Sequence, residues 1–349
     1  MLPRERVINM LNFKSVDKPV LDCDVSGVGL YEHGEKLREL FKEIGSDFNE
    51  INDWDIPQPP EGTIDADGNY LEYKTDVWGV KSVYSIFGIA GHPVERPLDD
   101  WTNLKRDFPM PELNRVKDNP ATREDYENWR KFYAEKSKTY YCRTGFMGLL
   151  EVMKHLRKYE DVLMDLYDDS PEINYLADVF VGHNRNQITN LLDFGVDAVQ
   201  FGEDYGTQTD LIVSPDIFRS FFKPRLKELI APVKAAGKSV FFHSCGYILP
   251  ILEDLKEIGV DAIWPQVNLF DMKEFAAHCR SIELATAIHP ERSHLLTNGT
   301  PEQIRRKMHE YNDIFRPQDG GSWFYLEIDN GFPWENIVAM VDVIKELRG

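Results

Sequence analysis

From residue 140 to the carboxyl terminus, short apolar runs alternate with longer stretches of helical periodicity, the signature of parallel βα units. The pattern predicts strands at 140–143, 198–201, 239–243, 262–264, 282–286 and 323–326, and a further one near the amino terminus at 19–24. A near-repeat supports this: Phe194-Gly195-Val196-Asp197-Ala198 and Ile258-Gly259-Val260-Asp261-Ala262 each close a helix with Gly at a left-handed cap and then open a strand. Ser214-Pro215-Asp216 and Thr300-Pro301-Glu302 open helices with a capping hydroxyl followed by Pro, and a last helix covers 334–347. Val7, Ile8 and Leu11 mark a short amphipathic helix over 4–12, outside or beneath the main fold, and 37–44 reads as a helix closed by Gly45. Between 49 and 111 the pattern breaks into Pro, Gly, Asp and aromatic residues, with a hairpin at Asp65-Ala66-Asp67-Gly68-Asn69. This excursion carries Trp54, Trp78, Phe87 and Trp101; it either caps a site with aromatic surface or packs a small core of its own. The alternation runs to the last helix without a linker. The prediction is therefore one domain over 1–349, an α/β (β/α)8 TIM barrel with an N-terminal loop and hairpin excursion.

Composition changes the picture mainly by exclusion. The 40 Lys and Arg stand against 59 Asp and Glu, a net charge of −19 that argues against nucleic acid or an anionic membrane as partner. Hydrophobic residues make up 42% of the chain, and no stretch of 18 apolar residues is present to span a bilayer. Met1-Leu2-Pro3-Arg4-Glu5-Arg6 opens no apolar signal segment, and the four cysteines (Cys23, Cys142, Cys245 and Cys279) are too scattered for a disulfide scaffold. A cytoplasmic setting is expected.

The densest chemistry lies at Ser239-Val240-Phe241-Phe242-His243-Ser244-Cys245-Gly246, an apolar strand ending in His and Cys one residue apart. Residues two apart on a strand point the same way, so an imidazole and a thiolate here form half of a zinc site; the alternative is a core Cys beside a hydrogen-bonded His. The strand at 198–201 runs into Gly202-Glu203-Asp204-Tyr205-Gly206-Thr207-Gln208, placing two carboxylates and a phenol at the same carboxyl-end rim. They suit a metal ligand and a proton-transfer group, or the capping of the next helix. Glu327, ending the last strand ahead of Asp329-Asn330-Gly331, is a third acid on that rim, unless it caps the following turn or pairs with Arg143 or Lys81. No Gly-rich dinucleotide or phosphate loop follows any strand, which leaves nucleotide cofactors unsupported.

Taken together, Asp204-Tyr205-Gly206-Thr207-Gln208 with Ser214-Pro215, Phe222-Lys223-Pro224-Arg225-Leu226-Lys227, His243-Ser244-Cys245-Gly246, Gly259-Val260-Asp261, Asn298-Gly299-Thr300-Pro301-Glu302 and Glu335-Asn336-Ile337 resemble the uroporphyrinogen decarboxylase superfamily. The resemblance runs from about residue 140 to the end and implies a (β/α)8 barrel with its site in the mouth. It implies one of two chemistries: cofactor-free decarboxylation of uroporphyrinogen, or zinc-dependent methyl transfer involving a corrinoid protein. The decarboxylase branch holds its polyanionic substrate with arginines near the first strand, and residues 19–29 contain none. The methyltransferase branch implies His243 and Cys245 as zinc ligands together with a Cys in the last loop. No Cys follows Cys279, and Glu327 sits near the expected place.

The expectation is a variant zinc site of His243, Cys245 and Glu327, with Glu203 as fourth ligand or acid/base. Asp204 or Tyr205 supplies or orients a proton, and Trp54, Trp78 and Gln208 bind substrate. One thiolate makes a harder Lewis acid than two, suited to an oxygen leaving group such as that of a methyl ether. The implied reaction moves a methyl group from a methylated small molecule to a corrinoid carried by a partner protein; a decarboxylase-like lyase or a metal-free binding protein is the alternative.

Overall fold

The computed structural model describes residues 1–24, 26–52, 55–104, 115–116 and 119–349, with backbone only at 115–116 and 119–120. Seven parallel strands form one sheet: β1 (Leu21–Asp24), β2 (Arg143–Met147), β3 (Ala198–Glu203), β4 (Ser239–Ser244), β5 (Ala262–Pro265), β6 (Ala285–Ile288) and β7 (Ser322–Glu327). Each of β2 to β6 pairs with its successor in the chain, and β1 returns to pair with β7, so the sheet curls into a half-barrel. Every strand of the sequence reading is present. Two begin about three residues later than predicted, β2 against 140–143 and β6 against 282–286.

Between the free edges of β1 and β2 runs Asp47. Its N–H donates to the Leu21 carbonyl at 2.8 Å, and its own carbonyl accepts from Tyr141 N–H at 3.2 Å. Its carboxylate accepts from Leu21 N–H at 2.8 Å and from Arg348 at 3.0 Å, and also pairs with Arg6. One residue therefore links both edges where an eighth strand would stand, helped by the Arg143–Asp22 ion pair at 2.8 Å.

Alternation along the strands sorts side chains into two layers. Val240, Phe242, Val199, Phe201, Ile263 and Leu326 face outward into a core shared with the helices. Phe241, Ala198, Ala262, Ala285, Ala287, Trp323 and Tyr325 face inward and fill the floor of the curl. The helix Pro171–Phe194 ends at Gly195 with φ of 83°, a left-handed cap that suits glycine, and Pro301–Phe315 starts with a Thr300–Gln303 capping box.

The excursion forms an antiparallel sheet of three strands, Glu72–Thr75, Lys81–Tyr84 and His92–Glu95, and the hairpin before it contributes a single Ile64–Tyr70 bridge. Trp78 and Phe87 pack back on the protein. The Trp78 ring lies 5.3 Å from Phe180 on the helix Pro171–Phe194, and Phe87 meets Tyr31 and Tyr70 edge-on at 5.0 and 5.5 Å. Among the described residues no helix is long and apolar enough to cross a membrane.

Candidate metal centre in the mouth of the curled sheet

His243 and Cys245 follow Phe241 on the inward side of β4, and Asp204 follows Ala198, Gln200 and Gly202 on the inward side of β3. The pairing of Gly202 with His243 brings these strand ends together. The two loops beyond are locked at a glycine contact. Gly206 N–H donates to the Cys245 carbonyl at 3.2 Å and Tyr247 N–H to the Thr207 carbonyl at 2.7 Å. A Cβ on Gly246, whose φ is +81°, would fall 2.0 Å from the Gly206 backbone. The Gln266 side-chain oxygen accepts Gly246 N–H at 2.8 Å, and Asp204 Oδ1 accepts Cys245 N–H at 3.1 Å.

Cys245 Sγ lies 3.4 Å from His243 Nε2, which in turn lies 3.8 Å from Asp204 Oδ1. Among the described residues, Asp204, His243 and Cys245 are the group whose ligand atoms all fall within 4.8 Å of one another. His243 Nδ1 sits 2.9 Å from the Trp264 carbonyl, and since a carbonyl only accepts, the proton resides on Nδ1. The lone pair of Nε2 is thereby left facing the thiol and the carboxylate, the arrangement in which histidine serves as a metal ligand. Burial holds His243 below the usual histidine range, opposed by Asp204. Burial, with the negative charge of Asp204, pushes the Cys245 thiol up to about 12. Without a cation the cluster is thus a neutral imidazole and a protonated thiol.

His243 and Cys245 open on a cavity of about 300 Å³ that also touches Gln208, Trp264, His289, Arg292 and Glu327. Glu327 faces inward at the end of β7. It pairs with Arg292 at 3.0 Å, not with Arg143, which is engaged by Asp22, or with Lys81, which is engaged by Glu95. Arg292 also holds Asp329 at 2.6 Å. Burial outweighs Arg292 and raises the Glu327 carboxyl to about 7.

Two expected site residues point elsewhere. Glu203 follows Phe201 on the outward side of β3 and is fully buried; it accepts N–H groups from Leu149, Leu150 (3.2 Å) and Glu151 (3.0 Å) and the Tyr205 hydroxyl at 3.2 Å. It caps the helix Leu150–Leu156, and strand alternation turns it away from His243, so neither a metal-ligand nor an acid/base role in the mouth fits its position. Tyr205 is equally buried, its ring between Phe218, Phe222 and Phe242 at 5.1 to 6.2 Å. Its hydroxyl donates to Glu203, on the outward side of β3, and not into the cavity. Trp78 packs on Phe180 and does not line the cavity, and Trp54 lies outside the described residues.

The sequence reading missed Phe146, Trp264, His289 and Arg292. Phe146 is 58% exposed, its ring 5.9 Å from His243 and directly over Gly202, where a Cβ would come within 2.1 Å of it. His289-Pro290-Glu291-Arg292 follows β6 at once. Setting that strand three residues too early hid the signal of a polar group at a strand end.

Fold and cluster together define an α/β protein with a parallel sheet and a metal-competent donor set at the carboxyl ends of its strands, where such folds carry their chemistry. Residues 145–347 match the uroporphyrinogen decarboxylase (URO-D) family, and the chain belongs to that family. Among solved structures, a methyltransferase from Methanosarcina mazei shares 16% identity over 100% of both chains with a TM-score of 0.63, a shared fold. A B12-independent methionine synthase from a Shewanella species is more distant, at 11% identity over 81% of this chain and 74% of that one, with a TM-score of 0.43. No curated protein matches the sequence.

Proposed function

We propose that the protein is a zinc-dependent methyltransferase that takes a methyl group from a methylated small molecule and passes it to the corrinoid of a partner protein. The observation that carries the reading is the convergence of Asp204, His243 and Cys245, with the His243 Nε2 lone pair turned toward the thiol. One nitrogen, one sulfur and one oxygen donor suit zinc better than a hard oxygen-loving cation or a soft copper ion. His243 and Cys245 would hold the metal, with Asp204 on one side and Glu327 across the cavity as the candidate oxygen ligands. When bound, zinc supplies Lewis acidity toward the heteroatom that carries the methyl group.

The chain's own residues do the rest. The Cys245 proton leaves to solvent as the thiolate forms, the Trp264 carbonyl holds the His243 ring, and the exposed face of Phe146 offers a flat apolar surface beside it. Gln208 lines the same cavity and is available to orient substrate. We read the seven strands with the Asp47 link as a (β/α)8-type barrel, which leaves the mouth as the route for substrate and partner.

The family name does not carry uroporphyrinogen turnover to this chain in our reading. Arg292, the cation lining the cavity among the described residues, is already shared by Glu327 and Asp329, and Arg143, over the floor at Phe241, is held by Asp22, so neither is free to offset a polycarboxylate. The test is zinc analysis of the purified protein, followed by methylation of free cob(I)alamin with methoxy compounds. Stoichiometric zinc and methylcobalamin formation are expected. A protein that refuses zinc, or one that releases carbon dioxide from uroporphyrinogen, contradicts the proposal.

A further inference from the structure

Trp264 governs two histidines, and it sets them in opposite states. Its carbonyl takes the Nδ1 proton of His243, whereas its indole Nε1–H donates to His289 Nδ1 at 3.0 Å. An indole nitrogen only donates, so His289 Nδ1 must be the bare nitrogen and the proton of its neutral ring must sit on Nε2. His289 therefore cannot offer Nε2 as a metal ligand in this state. It offers an N–H.

That N–H has no hydrogen-bond partner among the described residues, although the side chain is only 8% exposed. Glu327 Oε2 lies 3.8 Å away, beyond hydrogen-bonding distance, and that oxygen already accepts from Arg292 at 3.0 Å. His289 follows Ala285 and Ala287 on the inward side of β6 and forms part of the wall of the same cavity as His243 and Cys245. A buried donor left unmade is costly, and in a cavity wall its natural complement is an acceptor atom on a ligand.

We infer that His289 donates its Nε2–H to an oxygen of the bound substrate, so that the site selects oxygen compounds among methylated molecules. Ether, alcohol and phenolate oxygens accept such a bond. A methylated ammonium nitrogen has no lone pair to offer, and a thioether sulfur is a weak acceptor. The inference rests on the methyl-transfer reading for its choice of ligands, but the hydrogen bond can be read without any turnover.

The test uses the full chain as purified, labelled with ¹⁵N-histidine. Long-range ¹H–¹⁵N spectra are expected to show His289 protonated at Nε2 and His243 at Nδ1, and the His289 Nε2 resonance is expected to shift when anisole or 1,2-dimethoxyethane is added. Titration calorimetry is expected to give affinities about tenfold higher for these than for their thioether counterparts, the effect of one polar contact that the poorer partner cannot make. In His289→Phe that preference is expected to vanish, and in His289→Gln, which retains an N–H, part of it is expected to return. His289 protonated at Nδ1, no binding of either methoxy probe, or an unchanged preference in a folded His289→Phe protein overturns the inference. Should His289→Phe fail to fold, the wild-type ¹⁵N shift decides alone. An intact oxygen preference without methyl transfer to cob(I)alamin would instead sink the proposed function and leave this inference standing.

Discussion

The two sides of the mouth are built on opposite electrostatic plans. On the β3–β4 side, Asp204, His243 and Cys245 converge with no Lys or Arg ion-paired to them among the described residues, and the thiol stays protonated. On the β6–β7–β1 side, the acids come with cations: Glu327 and Asp329 share Arg292, and Asp22 pairs with Arg143. A donor set held together by loop geometry but lacking positive charge is prepared for an ion from outside, whereas a pre-neutralised set holds its shape without one. The strand pairing of Asp24 with Glu327 adds a further carboxylate to the second side, and burial raises the carboxyls of both residues. Glu327 is where the plans meet, because joining the metal means sharing or leaving Arg292.

The largest effect should come from the first side. Cys245→Ser and His243→Ala are each expected to lower zinc affinity by about 100-fold or more, with thermal stability nearly unchanged, since the metal-free cluster contributes little to folding. Competition with a chelator measures the first and a melting curve the second. Full zinc retention in either variant breaks the contrast.

Next in size is the Arg292 clamp. Arg292→Met leaves Glu327 and Asp329 without their counter-ion, and the expected loss is about 1–3 kcal/mol of stability in the metal-free protein. Added zinc should recover part of it by neutralising Glu327. A melting temperature equal to wild type with and without zinc would mean that the second side needs no cation.

The pH dependence separates the sides again. Glu327, raised to about 7 in the fold, is favoured there in its neutral form. Its contribution to stability is thus fully present below the unfolded carboxyl range and is lost as pH rises from about 4.5 towards 7. Glu327→Gln should flatten that part of the curve for the metal-free protein, leaving the similar share of Glu203, also raised to about 7, in place. Zinc binding should run the other way. With the Cys245 thiol pushed up to about 12, affinity is expected to rise about tenfold per pH unit near neutrality as one proton is released. A pH-independent zinc affinity would exclude a thiolate ligand.

The smallest effect is expected from the excursion. Trp78→Leu removes a ring packed on Phe180, and should cost about 1–2 kcal/mol in stability while leaving zinc affinity and methyl transfer within about twofold. A large loss of activity would restore the excursion as part of the site.

Strand alternation explains much of what the sequence could and could not reveal. The apolar runs located all seven strands because buried parallel strands are nearly continuous in hydrophobic residues, and the His-x-Cys spacing placed two donors on one side of β4. The same alternation applied to Gly202-Glu203-Asp204-Tyr205 separates Asp204, inward beside His243, from Glu203 and Tyr205, outward among helices. The adjacency of the acids concealed this division. His289 and Arg292 were hidden by a boundary slip of three residues at β6, since an apolar run does not mark where pairing begins. The Arg292–Glu327 pair joins residues 35 apart, one just past β6 and one at the end of β7, and Asp47 closes the gap beside β1 from a segment with no strand pattern at all. Neither has a local sequence signature.

Zinc K-edge X-ray absorption on the metal-loaded protein, compared with Cys245→Ser and Glu327→Gln, tests the central claim most directly. The account predicts one sulfur at roughly 2.3 Å together with nitrogen and oxygen donors at roughly 2.0 to 2.2 Å, the sulfur shell disappearing in Cys245→Ser and the light-atom shell changing in Glu327→Gln. Zinc bound with no sulfur neighbour, or the same spectrum in all three proteins, would contradict it.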